Sequence, residues 1–104
     1  MSRGIVVLLT IVAAVTAPLA WADGNAAAGK EKAGVCAGCH GPDGISTNPL
    51  WPNLAGQHAP YLAKQMRDFR DGKRNDPLMA PMSVGLSDQD IKNLAAYYAS
   101  LKAE

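Results

Sequence analysis

Two cysteines and a histidine stand together in the run Cys36-Ala37-Gly38-Cys39-His40, and these are the residues of the chain best suited to chemistry. The 104 residues contain no other cysteine, so a disulfide within the chain could only join Cys36 to Cys39. Such a bond would close a very short loop and would constrain little of the unfolded chain. The pair therefore favours a chemical role over a structural one.

Three chemical roles compete for these residues. A thioredoxin-like pair belongs after a β-strand, and no β-rich alternating segment precedes Cys36. A zinc site needs four ligands, and Cys36, Cys39, His40 and His58 are numerically sufficient but lack a second closely spaced pair. Covalent haem attachment uses the C-x-x-C-H pattern itself, because each thiol can add to one vinyl group while the histidine binds iron. The pattern favours haem, with His40 as the proximal ligand.

A proximal histidine leaves the second axial position of the iron to be filled by another residue. Met79 and Met82 lie in a loop with Gly and Pro, and their spacing does not separate them. Met66 falls on a helical apolar stripe, where core packing is the usual role, and His58 stands without a supporting motif. A methionine ligand would saturate the iron and favour electron transfer. Without it, an open iron would indicate a catalytic or sensing protein.

Helices separated by irregular loops are predicted to position these residues. The first helix is expected over 25–39, the middle helix over 60–70, and the last helix from 87 onward. Proline and glycine make 45–60 and 71–86 irregular. No strand, internal repeat or second domain is predicted, so the fold class is all-α, with three to four short helices.

The last helix has the clearest signals. Ser87 followed by Asp90 three positions later predicts a capping box. A buried face is predicted from the helical spacing of five residues: Ile91, Leu94, Ala95, Tyr98 and Leu101.

The domain has few large side chains for its size, so a haem is predicted to fill its centre. Its walls are predicted to be apolar and to exclude water from the iron. The predicted wall residues are Leu50, Trp51, Leu54, Leu62, Met66, Leu78 and Met82.

The amino terminus predicts export. Arg3 precedes an apolar run over 4–20, and Ala20-Trp21-Ala22 supplies the small residues of a cleavage site. We therefore predict a signal peptide over 1–22 and a single haem-binding domain over 23–104. An uncleaved anchor is less favoured because threonine and proline interrupt the apolar run. Both alternatives predict that the domain lies outside the cytoplasm, in the periplasm, and cleavage would leave no integral membrane span.

The predicted domain is close to neutral. Of the ten basic residues, Arg3 lies in the leader, which leaves nine against nine acidic residues. No polybasic run is present in the sequence, which argues against nucleic acid as a partner and against electrostatic membrane docking.

Six stretches of the chain resemble the class I c-type cytochromes, of the small bacterial monohaem type similar to one half of the periplasmic dihaem cytochromes c. They are Cys36-Ala37-Gly38-Cys39-His40-Gly41, Pro52-Asn53-Leu54-Ala55-Gly56-Gln57, Met79-Ala80-Pro81-Met82, Leu86-Ser87-Asp88-Gln89-Asp90 and Leu94-Ala95-Ala96-Tyr97-Tyr98, with Tyr61-Leu62. The resemblance implies a cytochrome c fold in which helices and loops wrap one covalently bound haem c.

The resemblance also implies roles for single residues. Met79, seven residues before Leu86, takes the place of the distal iron ligand. The first and last helices cross, with Gly29 at the contact and Leu94 and Tyr97 packing on it, whereas periodicity favours Tyr98 as the buried tyrosine. Pro49 is the closest match for the proline whose carbonyl accepts the other N–H of the proximal histidine.

These expectations together describe a periplasmic carrier of single electrons that is not an enzyme. Its metal is iron, held in one haem c by Cys36, Cys39, His40 and Met79, with an exposed haem edge near the two cysteines. Its partners are redox proteins that donate and accept electrons, or a larger dehydrogenase or oxidase complex. An alternative hypothesis, also with a saturated iron, is that this chain is a dedicated haem subunit of such a complex and not a free carrier.

Overall fold

The computed structural model describes residues 2–13 and 24–103, and helices account for most of the second range. No strand occurs in those two ranges, so the predicted all-α class is confirmed. The described part contains five helices, more than predicted: α1 (Ala26–Lys32), α2 (Gly34–His40), α3 (Ala59–Arg70), α4 (Met79–Ser83) and α5 (Asp88–Ser100).

The predicted leader is described only in part. Residues 2–13 are exposed and form no helix, and the predicted cleavage site after Ala22 lies outside the described residues. None of the helices in the described ranges has the length and apolar character needed to cross a membrane.

The predicted first helix is divided into α1 and α2 by a turn at Ala33. Asn25 caps α1, and its side-chain oxygen accepts the Ala28 N–H at 3.1 Å. The Ala33 N–H is shared between the carbonyls of Gly29 and Lys30, at 2.9 and 3.3 Å. Ala33 is itself buried in the core. Alanine is the strongest helix former, so its type gave no sign of this division.

Helices α1 and α5 cross at Gly29, as expected. A Cβ atom at Gly29 would lie 2.0 Å from the carbonyl oxygen of Asn93 and 2.8 Å from Tyr97 Cβ, so only glycine permits this approach. The Asn93 side chain also accepts the backbone N–H of Asn25 at 2.8 Å. Tyr97 thus lies at the crossing, while Tyr98 is buried in the core and lines a cavity at the centre of the helices. The two expectations about the tyrosines are both correct.

Helix α5 begins with the predicted capping box. Ser87 Oγ accepts the Asp90 N–H, and the Asp90 carboxylate accepts the Ser87 N–H, each at 3.0 Å. Ile91, Leu94, Ala95 and Tyr98 on the predicted face are buried, and Leu101 is half-buried.

Loss of this cap should weaken the fold and change its acid sensitivity. Ser87→Ala should lower the free energy of unfolding by about 1 kcal/mol, measured by denaturant unfolding of the holoprotein.

The N–H of Ser87 lowers the pKa of Asp90 below its ordinary value. Because the folded pKa is the lower one, this stabilisation is present above about pH 4 and is lost as the pH falls through the folded pKa. Asp90→Asn should therefore make the free energy of unfolding less dependent on pH in the acid range. A reduction in pH dependence no larger than that of the exposed Asp43→Asn would contradict this role.

The segment after α3 contains a helix that was not predicted. The range 71–86 was expected to be irregular, but Met79–Ser83 form α4. Pro81 lies in its first turn, where a proline removes no intrahelical hydrogen bond. Arg70 at the end of α3 holds the far end of the segment, because its guanidinium donates to Asp88 at 2.7 Å and to the Leu86 carbonyl at 3.3 Å.

Candidate functional site

A cavity of about 460 Å³ lies at the centre of the helices. Residues of α2, α3, α4 and α5 and of the range 50–57 line it. Its lining includes all seven predicted wall residues: Leu50, Trp51, Leu54, Leu62, Met66, Leu78 and Met82. Leu50 and Leu78 nevertheless remain 85% and 56% exposed, which is unusual for large apolar side chains that line a cleft. The cavity therefore suits a large apolar ligand.

The four predicted site residues all line this one cavity. Cys36, Cys39 and His40 reach it from α2, and Met79 reaches it from α4. The alternative methionines Met66 and Met82 also line it. The alternative histidine, His58, does not belong to the lining; it is exposed just before α3.

The two thiols are free, and their surroundings differ. Cys36 is half-buried, whereas Cys39 is exposed. Burial raises the pKa of the Cys36 thiol, a hydrogen bond with Tyr98 opposes this rise, and the neighbouring Cys39 adds to it. Within the described ranges, no three His, Cys, Asp or Glu side chains come together as a metal site. The geometry thus gives no support to zinc.

His40 is buried and is fixed by one hydrogen bond. Its Nδ1 lies 2.9 Å from the carbonyl oxygen of Pro52, so Nδ1–H donates and Nε2 keeps its lone pair. The prediction that the Pro49 carbonyl accepts this N–H is wrong, because the acceptor is the Pro52 carbonyl. The Gly44 carbonyl accepts the Leu54 N–H at 2.8 Å and so draws the chain at Pro52 back towards the end of α2.

Met79 is held at the start of α4 by an aspartate. The Asp76 carboxylate accepts the backbone N–H groups of Met79 and Leu78, each at 2.9 Å. These two hydrogen bonds lower the pKa of Asp76. The backbone of Met79 is therefore fixed, while its side chain keeps three rotatable bonds.

Three residues that shape the site were not identified from the sequence. The Asp76-Pro77 pair is a turn-starting signal from which the role of Asp76 could have been inferred. Pro52 is part of the family resemblance, but it was not predicted as the partner of His40. Ser83 of α4 lines the cavity and is fully buried, and nothing in its sequence context indicates this position.

The lining residues fit a covalently bound haem. The walls are largely apolar, both thiols lie at the cavity, and Nε2 of His40 is the ring nitrogen left with a lone pair. Among the described residues, the buried Ser83 hydroxyl has no hydrogen-bond partner. This is expected if the hydroxyl contacts a bound ligand or a residue that ligates it.

Comparison with curated proteins agrees with this fit. Cytochrome c-554(548) of Halomonas halodenitrificans is 52% identical over 80 residues, which cover 74% of this chain and 96% of that protein. Cytochrome c4 of Pseudomonas aeruginosa is 55% identical over 84 residues, which cover 81% of this chain and 42% of that protein. A thiosulfate dehydrogenase electron acceptor of Thiomonas intermedia is 42% identical over 88 residues, covering 83% and 38%. This chain thus spans less than half of the second and third relatives.

A solved structure and a family model give the same result. The crystal structure of reduced recombinant cytochrome c4 from Pseudomonas stutzeri superposes with a TM-score of 0.73 at 43% identity. The superposed region covers 76% of this chain and 46% of the cytochrome c4 chain. The similarity to one half of a longer cytochrome, predicted from the motifs, is confirmed. The family model for cytochrome c matches residues 26–102. The chain therefore belongs to the cytochrome c family.

Proposed function

We propose that this protein carries single electrons in the periplasm, with a haem c attached through Cys36 and Cys39 and ligated by His40 and Met79. The observation that carries the proposal is the shared cavity, which α2 lines with the attachment motif and α4 lines with Met79. When bound, the haem supplies a one-electron iron couple. The residues of the chain hold it, orient it and keep water away.

His40 is suited to be the proximal ligand. The Pro52 carbonyl fixes the tautomer and the ring orientation, since it accepts the Nδ1–H at 2.9 Å. The same hydrogen bond makes Nε2 a better electron donor. Burial of the imidazole limits its motion, so the position of His40 would change little when the bound iron changes oxidation state.

The two cysteines are suited to covalent attachment near the surface. Cys39 is exposed, and Val35 beside the motif is 66% exposed. A haem edge held here would be accessible to a redox partner, and thioether bonds would retain it in both oxidation states. Exchange of electrons is therefore proposed to occur at this face.

Met79 is favoured over Met82 as the distal ligand. Met79 is half-buried and its N–H is bound by Asp76, whereas Met82 is 47% exposed. A thioether from Met79 would give a six-coordinate iron with no free position for oxygen or peroxide. This coordination supports a carrier and not an enzyme.

The partners are proposed to be other redox proteins outside the cytoplasm. The predicted signal peptide supports export. A relative named as the electron acceptor of thiosulfate dehydrogenase favours a second candidate, in which this chain accepts electrons from one dehydrogenase as its haem subunit. Co-purification with a large catalytic subunit would favour that candidate over a free carrier.

The first test is the ferric optical spectrum of the protein purified from the periplasm. Sulfur from methionine gives low-spin ferric haem a weak far-red band, and we expect this band in the wild type. Met79→Ala should abolish it, while Met82→Ala, a methionine of the same cavity, should retain it. A haem spectrum without the band, or a band that survives Met79→Ala, would contradict the ligand assignment and favour bis-histidine ligation or an open iron.

A further inference from the structure

Ser83 is a polar residue in the largely apolar lining of the cavity. Its side chain is fully buried, with a relative exposure of 0%, and it is one of the cavity-lining residues. In the described part of the chain, its Oγ has no hydrogen-bond partner. A buried hydroxyl without a partner is costly, so its retention calls for a specific acceptor.

The local helix geometry limits which acceptor this can be. A buried serine within a helix can donate to the carbonyl four residues before it, here that of Met79, but the Ser83 side chain does not form this bond. The Ser83 carbonyl accepts the Leu86 N–H at 3.0 Å, which helps to fix the backbone. The hydroxyl thus remains available to a group at the cavity.

The position of the Met79 side chain makes it the candidate acceptor for the Ser83 hydroxyl. Met79 and Ser83 are the first and last residues of α4, so they lie four positions apart on one face. The Cα–Cβ bond of a helical residue tilts towards the N-terminus, which directs the Ser83 side chain back towards Met79. Both side chains line the cavity. A thioether sulfur is a weak acceptor of hydrogen bonds.

We propose that Ser83 is a positioning residue whose hydroxyl donates a hydrogen bond to Met79 Sδ when that sulfur ligates the iron. The proposal rests on the proposed function. The hydroxyl would hold the thioether in one rotamer, and the positive end of its dipole would point towards the iron. Because a positive dipole destabilises the ferric state more than the ferrous state, the hydrogen bond raises the reduction potential.

The test compares reduction potentials and far-red spectra of purified holoproteins. Ser83→Ala should raise the oxidised-to-reduced ratio at a fixed potential about threefold, or about 28 mV at 59 mV per tenfold for one electron. Its far-red band should shift, and added imidazole should displace Met79 more readily. Threonine and valine have nearly the same shape, and a methyl group of valine replaces the hydroxyl of threonine. Ser83→Thr should therefore have a higher potential than Ser83→Val. The exposed Ser100→Ala is the control.

The outcomes separate this proposal from the proposed function. If the wild type shows no far-red band, or if Met79→Ala keeps it, the ligand assignment fails and this proposal fails with it. If the band depends on Met79 but Ser83→Ala matches Ser100→Ala, the role of Ser83 alone is wrong. A shifted potential with an unchanged band and unchanged imidazole binding would place the hydroxyl against another part of the haem, and this would also overturn the proposal.

Discussion

Gly29→Ala is expected to lower the free energy of unfolding by about 3 kcal/mol or more, enough to remove much of the stability of a small domain. The new Cβ would lie 2.0 Å from the Asn93 carbonyl oxygen and 2.8 Å from Tyr97 Cβ. The nearest atom belongs to the backbone of α5, so no side-chain rotation relieves the contact. The two helices would have to separate, and the hydrogen bond between Asn25 and Asn93 would be strained with them.

Denaturant unfolding of the holoprotein measures this effect. Gly34→Ala is the matched control, because Gly34 also lies in a helix and its Cβ would meet nothing within 4 Å. That control should be neutral or stabilising by about 0.5–1 kcal/mol, since alanine favours the helix. If the two variants had equal stability, the close crossing of α1 and α5 would not be a main determinant of the fold.

Local signals predicted the parts of the fold that depend on local interactions. Ser87 and Asp90 form the expected capping box because both partners of each hydrogen bond lie within one turn. The stripe on α5 is buried as its period required, from Ile91 to Tyr98. The cavity walls were also predictable, since the large apolar side chains of a small domain have few places to pack other than around its centre.

The parts that were not predicted depend on contacts between distant segments. The choice of Pro52 over Pro49 follows from the hydrogen bond of Leu54 to Gly44, which joins residues ten apart. Helix α4 depends in part on the anchoring of its segment by Arg70, whose guanidinium donates to Asp88, a residue distant in sequence. None of these contacts leaves a periodic pattern in the sequence, so periodicity predicted only a loop.

His40→Ala is expected to lower the yield of holoprotein from the periplasm by about tenfold or more, since second-shell changes alone reduce metal affinity by 10–100-fold. The variant would lose the proposed proximal ligand and would leave the Pro52 carbonyl without the donor that lies 2.9 Å away in the wild type. It would also leave a gap in a buried part of the cavity wall. The yield is measured as covalently bound haem per polypeptide after denaturation.

His58→Ala is the matched control, because His58 is the other histidine of the chain, is exposed, and does not line the cavity. It should retain the wild-type haem content, far-red band and potential. If His58→Ala instead lost the low-spin spectrum while Met79→Ala kept it, the axial pair would be the two histidines and the loop before α3 would have to move to the iron. The fixed hydrogen bond of His40 and the exposure of His58 outside the cavity lining both favour the first result, in which one histidine and one methionine ligate the iron.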